Sequence, residues 1–284
     1  MPWEMPVNHA LSGMVSKSLG LGTQTNHLAL DDTQDRMQVQ LASDHGKSSV
    51  SLGYITRIDG HVGRQDARGE GFELRTDKHG AVWAAPGLLL TTFGRTSAKG
   101  KVKENGEAIA RLTAARDIHE SAAQEAQRHG AQEALKDQAE VSSKLKSANA
   151  SLKGSAATQP DDFPEFDDPD IAIASAANLH ATAAGSTHFA SEHHTAMTTG
   201  GHVSIAAGRS FFASVREKIA LYAQKALTFI TPGPVHIESL NGPLSQVSQG
   251  DMSITSTDGI LRLAALRGVD IQCNGTLWRF RPRA

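Results

Sequence analysis

A single cysteine, Cys273, stands among 284 residues. That excludes an intrachain disulfide framework and any multi-cysteine metal knuckle, and Cys273 reads as small filler near the C-terminus. Aromatic residues make up 5% of the chain and the whole apolar set 39%. A broad globular core draws on more large side chains than this, so the composition favours an elongated object with a thin interior. Charge of one sign is lacking too: 28 Lys and Arg against 30 Asp and Glu leave a formal charge of −2. Scattered in this way, they exclude the basic footprint of a nucleic-acid binder. No run approaches the roughly 18 apolar residues of a membrane span, and residues 1–20 lack the basic start and apolar stretch of a secretory leader. The expectation is a chain with no stable membrane anchor that does not use the general secretory route. There is no HExxH, no GxSxG elbow and no thiol signature around Cys273, and the glycines near Gly69 and Gly71 miss the GxGxxG spacing. Asp31 and Asp32 resemble paired catalytic carboxylates only superficially. The chain is therefore expected not to be an enzyme and to need no cofactor.

What the sequence does have is a beat of eight. Counting by eights from Ile171 gives Leu179, Thr187, Thr195, Val203, Phe211, Ile219, Leu227 and Val235. A second row, two residues later, runs Ile173, Ala181, Phe189, Met197, Ile205, Ala213, Leu221, Phe229 and Ile237. Residues two apart share one face of an extended strand, so each octad reads as a short strand with two inward side chains followed by a turn. A fixed period over many successive steps marks stacked repeats rather than a sandwich with unequal strands. The beat slips across Asn241, Gly242 and Pro243, then resumes out of phase at Met252/Ile254, Leu261/Leu263, Val269/Ile271 and Leu277. The fold class expected is mainly β: an elongated β-prism or triple-stranded β-helix with octad repeats, carrying an α-helical hairpin insertion.

The remainder divides by composition. Residues 1–24, rich in Pro, Gly and Ser, read as a linker with at most one strand. Residues 25–103 read as irregular β-structure, with apolar alternations at Leu28/Leu30, Met37/Val39/Leu41, Val50/Leu52, Phe72/Leu74 and Leu88 to Leu90. Residues 104–153 are rich in strong helix formers, with Ile109/Leu112 and Leu145/Ala148/Leu152 at helical intervals and a natural break at His129 and Gly130. Two helices in a hairpin are expected, with so thin an apolar stripe that they must lean on the β-body, on copies of themselves or on a partner. Residues 154–170 form an acidic, Pro-rich linker, and residues 171–284 the octad prism.

A single-chain solenoid has three unequal sides, whereas these octads resemble one another. Equivalent sides follow economically from threefold symmetry, with three chains each supplying one side at each level, so a homotrimer is expected. Its axial core would consist of Ile171, Ile173, Leu179, Phe189, Met197, Val203, Ile205, Phe211, Ile219, Leu221, Leu227, Phe229, Val235 and Ile237. Thirteen histidines raise the question of a metal. His180 and His188 are one octad apart, as are His194 and His202, but their even numbering puts them opposite the inward odd rows. No third ligand is placed beside either pair, so outward polar ladders are expected and no metal site.

Several segments carry a family resemblance: Asn8 to Met14 (NHALSGM), Thr25 to Thr33 (TNHLALDDT), Leu41 to His45 (LASDH), Ser51 to Thr56 (SLGYIT) and Asp66 to Asp77 (DARGEGFELRTD). They resemble the segment that follows the OB-fold domain in VgrG proteins, the spike proteins of bacterial type VI secretion, also called Rhs-element Vgr proteins. Thr198 to Val215 (TTGGHVSIAAGRSFFASV) is similar to the β-prism of that family. The resemblance implies a trimeric needle on a contractile injection machine that punctures target membranes. It implies assembly in the cytoplasm, ejection through the apparatus, docking on tube proteins through an N-terminal base, and a PAAR-type tip protein, an effector or an effector chaperone as partner. Against that pattern the base and the OB-fold are missing and the chain stops at Arg281–Ala284, which suggests a truncated or split copy. The rival reading is a secreted β-solenoid adhesin or polysaccharide-active protein. It calls for a secretion signal and a charged cluster on one solenoid face, and neither is visible.

Overall fold

The computed structural model describes residues 2–155, 166–274 and 276–281. The chain divides into two compact units, Met1–Leu221 and Tyr222–Ala284.

The first unit begins with a five-stranded antiparallel meander: β1 Leu11–Lys17, β2 Thr25–Asp31, β3 Gln38–Ser43, β4 Ser48–Asp59 and β5 Gly63–Arg75, paired in sequence order. Its register places Met14, Leu28, Leu41, Val50 and Leu74 side by side in one cross-strand row. A second row on the same face holds Leu30, Val39, Leu52 and Phe72. Every residue of these rows except Leu28 is classed among the exposed large apolar side chains, whereas Thr25, His27, Asp31, Gln38, Gln40, Ser51 and Thr56 on or near the other face are buried. The sheet is thus inverted: its polar side is the inside.

Burial of polar groups is tolerated where each finds a partner. Gln38 accepts from the Thr56 amide (2.8 Å) and hydroxyl (2.7 Å) and donates to the Thr56 carbonyl (3.1 Å). His27 Nε2 meets Gln40 Oε1 at 2.8 Å, and Gln40 Nε2 donates to Ser51 Oγ at 2.8 Å. Asp31, 1% exposed, accepts from Arg64 at 3.1 Å and from the Thr33 amide at 3.0 Å. The cover over this side comes from the chain start and the far end of the β4–β5 hairpin, which bends at register shifts around Thr56; bulges produce such bends. Asn8 ties the two together, donating to the carbonyls of Glu4 (2.9 Å) and Val62 (2.7 Å) and accepting from the Arg64 amide (3.0 Å). Trp3, Leu11, Ala29 and Ile58 form the small apolar core beneath.

Residues 1–24, expected as a linker with at most one strand, supply that strand, β1, and two members of this core. The expected irregular β region is, up to Arg75, a regular meander. Apolar periodicity concealed the core role of this segment and the regularity of the meander, because Leu11 is the only large apolar residue of β1 that is fully buried and the buried face is polar.

After β6 Leu88–Thr91 come two helices, α1 Gly106–Arg128 and α2 Gln138–Lys153. Helix α1 ends where the sequence offered a break: Gly130 adopts φ 71°, and the amides of His129 and Ala131 reach back to the carbonyls of Glu125 and Ala126. A left-handed glycine is the common way to satisfy the last carbonyls of a helix. Small side chains let the helices approach: Ala123 and Ala126 are buried on α1, Ser142 and Asn149 on α2. The acidic linker expected over 154–170 lies mostly outside the described residues. Its last residues are anchored, with Phe166 buried against Gly87 and under the Lys103 ammonium (4.3 Å to the ring centroid), and with Ser151 Oγ donating to Asp170 at 3.1 Å. Strand β7 Ile171–Ala174 then pairs with β6 in parallel, Leu88 opposite Ile171 and Leu90 opposite Ile173. Parallel neighbours need a long crossover, and the helices form it.

In the second unit the described chain closes with an antiparallel hairpin, β8 Val269–Cys273 and β9 Thr276–Phe280, in which Ile271 faces Trp278 and Val269 faces Phe280.

Candidate functional site

From Ser175 to Gly268 no residue belongs to a helix or a strand. The chain is nevertheless regular. In the first unit it bends at 176/177, 184/185, 192/193, 200/201, 208/209 and 216/217, a spacing of eight. In the second the bends fall at 224/225, 232/233, 240–242, 249/250, 257–259 and 266/267. Local chemistry sets several of these corners, because a Ser or Thr hydroxyl accepting the amide two residues on mimics a backbone turn. The Ala177 amide donates to Ser175 Oγ (3.3 Å), Gly201 to Thr199 Oγ1 (3.1 Å) and Gly233 to Thr231 Oγ1 (3.1 Å). These three hydroxyl residues stand at the same phase of the octad.

The fourteen side chains expected to form an axial core, from Ile171 and Ile173 to Val235 and Ile237, are all exposed on the single chain, between 57% (Val203) and 86% (Phe189). The chain does not bring them together. On the opposite rows His180, His188 and His202 are exposed as well, whereas Ala172 is buried and Ala174, Ala196, Thr198, Ala220 and Tyr222 are partly covered. Register adds Leu88 and Leu90, which stand beside Ile171 and Ile173 one strand earlier than the beat could be read. The Leu88–Leu90 run had signalled a strand, but not this neighbour.

Polar contacts fasten the helical pair along the first unit's octads. Arg111 donates to the Ser175 carbonyl, His119 Nδ1 lies 3.5 Å from Thr198 Oγ1, Glu140 lies 4.0 Å from His194 Nε2, and Asp137 pairs with Lys218 at 2.7 Å. The Lys218 ammonium, then the Glu133 amide, holds the Asp137 carboxyl below its ordinary range, and Lys218 is raised in turn by Asp137. Among the described residues no group of three or more His, Cys, Asp or Glu side chains is placed to hold a metal ion. No helix among them is long and apolar enough to cross a membrane.

Two family models match the chain: one described as putative type VI secretion system Rhs element Vgr, over residues 17–126, and one described as an uncharacterized protein conserved in bacteria, over residues 158–282. Among curated proteins, the type VI secretion system spike protein VgrG2b of Pseudomonas aeruginosa is 42% identical over 117 residues, which is 41% of this chain and 11% of that protein. VgrG2a of the same organism is 43% identical over 114 residues, 40% of this chain and 13% of its own length. The chain thus matches only a small part of these relatives. A solved VgrG spike of the type VI secretion system superposes with a TM-score of 0.78 at 22% identity, covering 96% of this chain and 98% of that one. A second structure, of the Tle1 effector bound to the VgrG spike, gives 0.75 at 20% identity, covering 97% and 80%. At such identities the likeness speaks for the fold, which is mainly β with two helices. Together, the family model over residues 17–126 and the curated relatives identify that part of the chain as a VgrG family segment of type VI secretion, and the whole chain shares the fold of solved VgrG spikes.

Proposed function

We propose that the chain is the shaft and distal β-prism of a type VI secretion spike: a homotrimer, mechanical rather than enzymatic, that is assembled in the cytoplasm and ejected through the apparatus to puncture a target membrane. The observation that carries this reading is the pair of apolar octad rows, which run between corners eight residues apart and lie uncovered on one chain. A backbone without partners and a row of exposed Ile, Phe, Leu and Met is costly in water. Three copies wound about one axis would pair the backbone between chains, bury both rows and leave no open sheet edge along the shaft. The partners we propose are a PAAR-type tip protein, an effector or an effector chaperone, with tube proteins engaged through the base of the family pattern. The solved relative carrying the Tle1 effector motivates cargo, and the helical pair is our candidate for a lateral platform. Light scattering combined with small-angle X-ray scattering tests the assembly. An extended particle of about three chain masses is expected, and a compact particle of 30.1 kDa would sink the proposal.

A further inference from the structure

We infer that Asn241 is a site of spontaneous covalent modification, where the side-chain amide is lost as ammonia and a carboxylate takes its place at the 240–242 corner. An asparagine side chain is open to attack by the backbone nitrogen of the next residue, and glycine, with no Cβ, leaves that nitrogen least shielded. The nitrogen bonds to the side-chain Cγ, the Cγ–Nδ2 bond breaks, ammonia departs and a five-membered succinimide remains. Water then opens the ring at either carbonyl, giving aspartate or isoaspartate. The sequence holds three Asn–Gly pairs, beginning at Asn105, Asn241 and Asn274. The fold separates them.

Attack requires the side chain and the following peptide to rotate toward each other, so whatever fixes either one protects the residue. Asn105 is fixed at both. Its Nδ2 donates to the Leu152 carbonyl at 2.7 Å, and its own carbonyl, on the peptide that carries the Gly106 nitrogen, accepts from the Ile109 amide at 3.0 Å as α1 begins. Asn274 is held through its backbone: it stands at φ 43° in the turn between β8 and β9, next to the opposed pair Cys273 and Thr276. That left-handed geometry is the one Asn–Gly hairpin turns adopt. Asn241 has neither restraint. It is exposed at a corner outside any strand or helix, and among the described residues neither its side-chain amide nor the Gly242 nitrogen has a hydrogen-bond partner. Pro243 brings no amide with which the corner could close on itself. Ser239 Oγ donates to the Gly242 carbonyl at 2.8 Å, on the next peptide, and leaves the reacting one free. The isoaspartyl product has a backbone one carbon longer, and it forms where the corner is already a residue wider than most.

Peptide mapping of the aged full chain tests this. The protein is held in mildly alkaline buffer, which favours the nitrogen as nucleophile, and trypsin then places the three pairs on separate peptides, 104–111, 226–262 and 268–279. Mass spectrometry follows the gain of about 1 Da that marks an amide turned into an acid. Asn241 is expected to convert at least roughly tenfold faster than Asn105 or Asn274, and to yield both aspartate and isoaspartate. Gly242→Ala should slow it by roughly tenfold as well, because the added Cβ shields the nitrogen. The corner accepts that Cβ, whose nearest neighbour would be Ser239 Oγ at 3.6 Å. Circular dichroism and light scattering check that the variant keeps the parent's fold and mass. Equal or faster conversion at Asn105 or Asn274, aspartate without isoaspartate, or an unchanged rate in Gly242→Ala would each overturn the inference. So would an Asn241 that converts only after Ile205→Asp has dissociated the copies, because the assembly would then be covering the corner.

Discussion

Asp31 shows how much this sheet depends on single polar residues. It is 1% exposed and is held by Arg64 and Thr33, so Asp31→Ala strands the guanidinium without its partner. Removing one member of such a pair costs about 3 kcal/mol, which urea unfolding should register. Gly13 is a steric case: at φ 142° a Cβ would stand 1.9 Å from the Leu28 carbonyl oxygen, so Gly13→Ala should cost about 2–3 kcal/mol by forcing β1 away from β2. Asp44 supplies pH dependence. The Lys47 ammonium, followed by the Thr25 hydroxyl and amide, holds its carboxyl down at about 2 against partial burial, from an ordinary 3.8. A depressed folded value means that the stabilisation is complete above the ordinary value and is lost as pH falls through about 2. After solvent screening it amounts to on the order of 1 kcal/mol. Asp44→Asn should flatten stability over that window; an unchanged acid profile would show that the carboxylate contributes nothing.

The helical pair is a side branch at the level of elements. Its two ends are joined where Asn105 Nδ2 donates to the Leu152 carbonyl at 2.7 Å, and β6 and β7 keep their own pairing beneath it. Replacing Glu104–Leu152 by a short Gly/Ser linker should therefore leave the assembled mass at three shortened chains by light scattering, and loss of assembly would show the helices to be structural. The helices were legible because Ala, Glu, Gln and Lys at helical spacing need no tertiary context, and His129–Gly130 marks a real stop. The parallel β6–β7 pair was not legible, because strands so far apart in sequence meet only once the crossover has closed. The meander was half legible: Leu28/Leu30 and Phe72/Leu74 gave strands, but a buried polar face has no apolar period to read.

At the scale of the whole chain, the two octad rows set the sharpest contrast. Ile205→Asp would gather three carboxylates near one axis, and an unpaired buried charge costs several kcal/mol even after relaxation. Assembly should fail or melt at a markedly lower temperature. His188→Ala and His202→Ala, on the opposite rows, should stay within about ±0.5 kcal/mol, as read from thermal unfolding of the assembled species. If the histidine changes prove the more damaging, the facing of the rows is wrong. The period needed only one chain to be legible, whereas in the proposed trimer the cover over Ile205 would come from the other copies; on the single chain that residue is exposed.

The corners have a consequence for how such a gene can change. Most are two residues wide, but those at 240–242 and 257–259 are three; after the second, Leu261 and Leu263 still fall two and four residues past the corner's last residue, and after the first Leu244 falls two past, with Gln246 in the second place. Phase is restarted at every corner, so an added or lost codon is absorbed there and forgotten by all that follows. Along a side it is not, because one residue more or less turns every later side chain of that strand over. Length should thus drift at the corners and stay frozen between them: deleting Asn241 should leave assembly intact, and deleting Ser204 should abolish it.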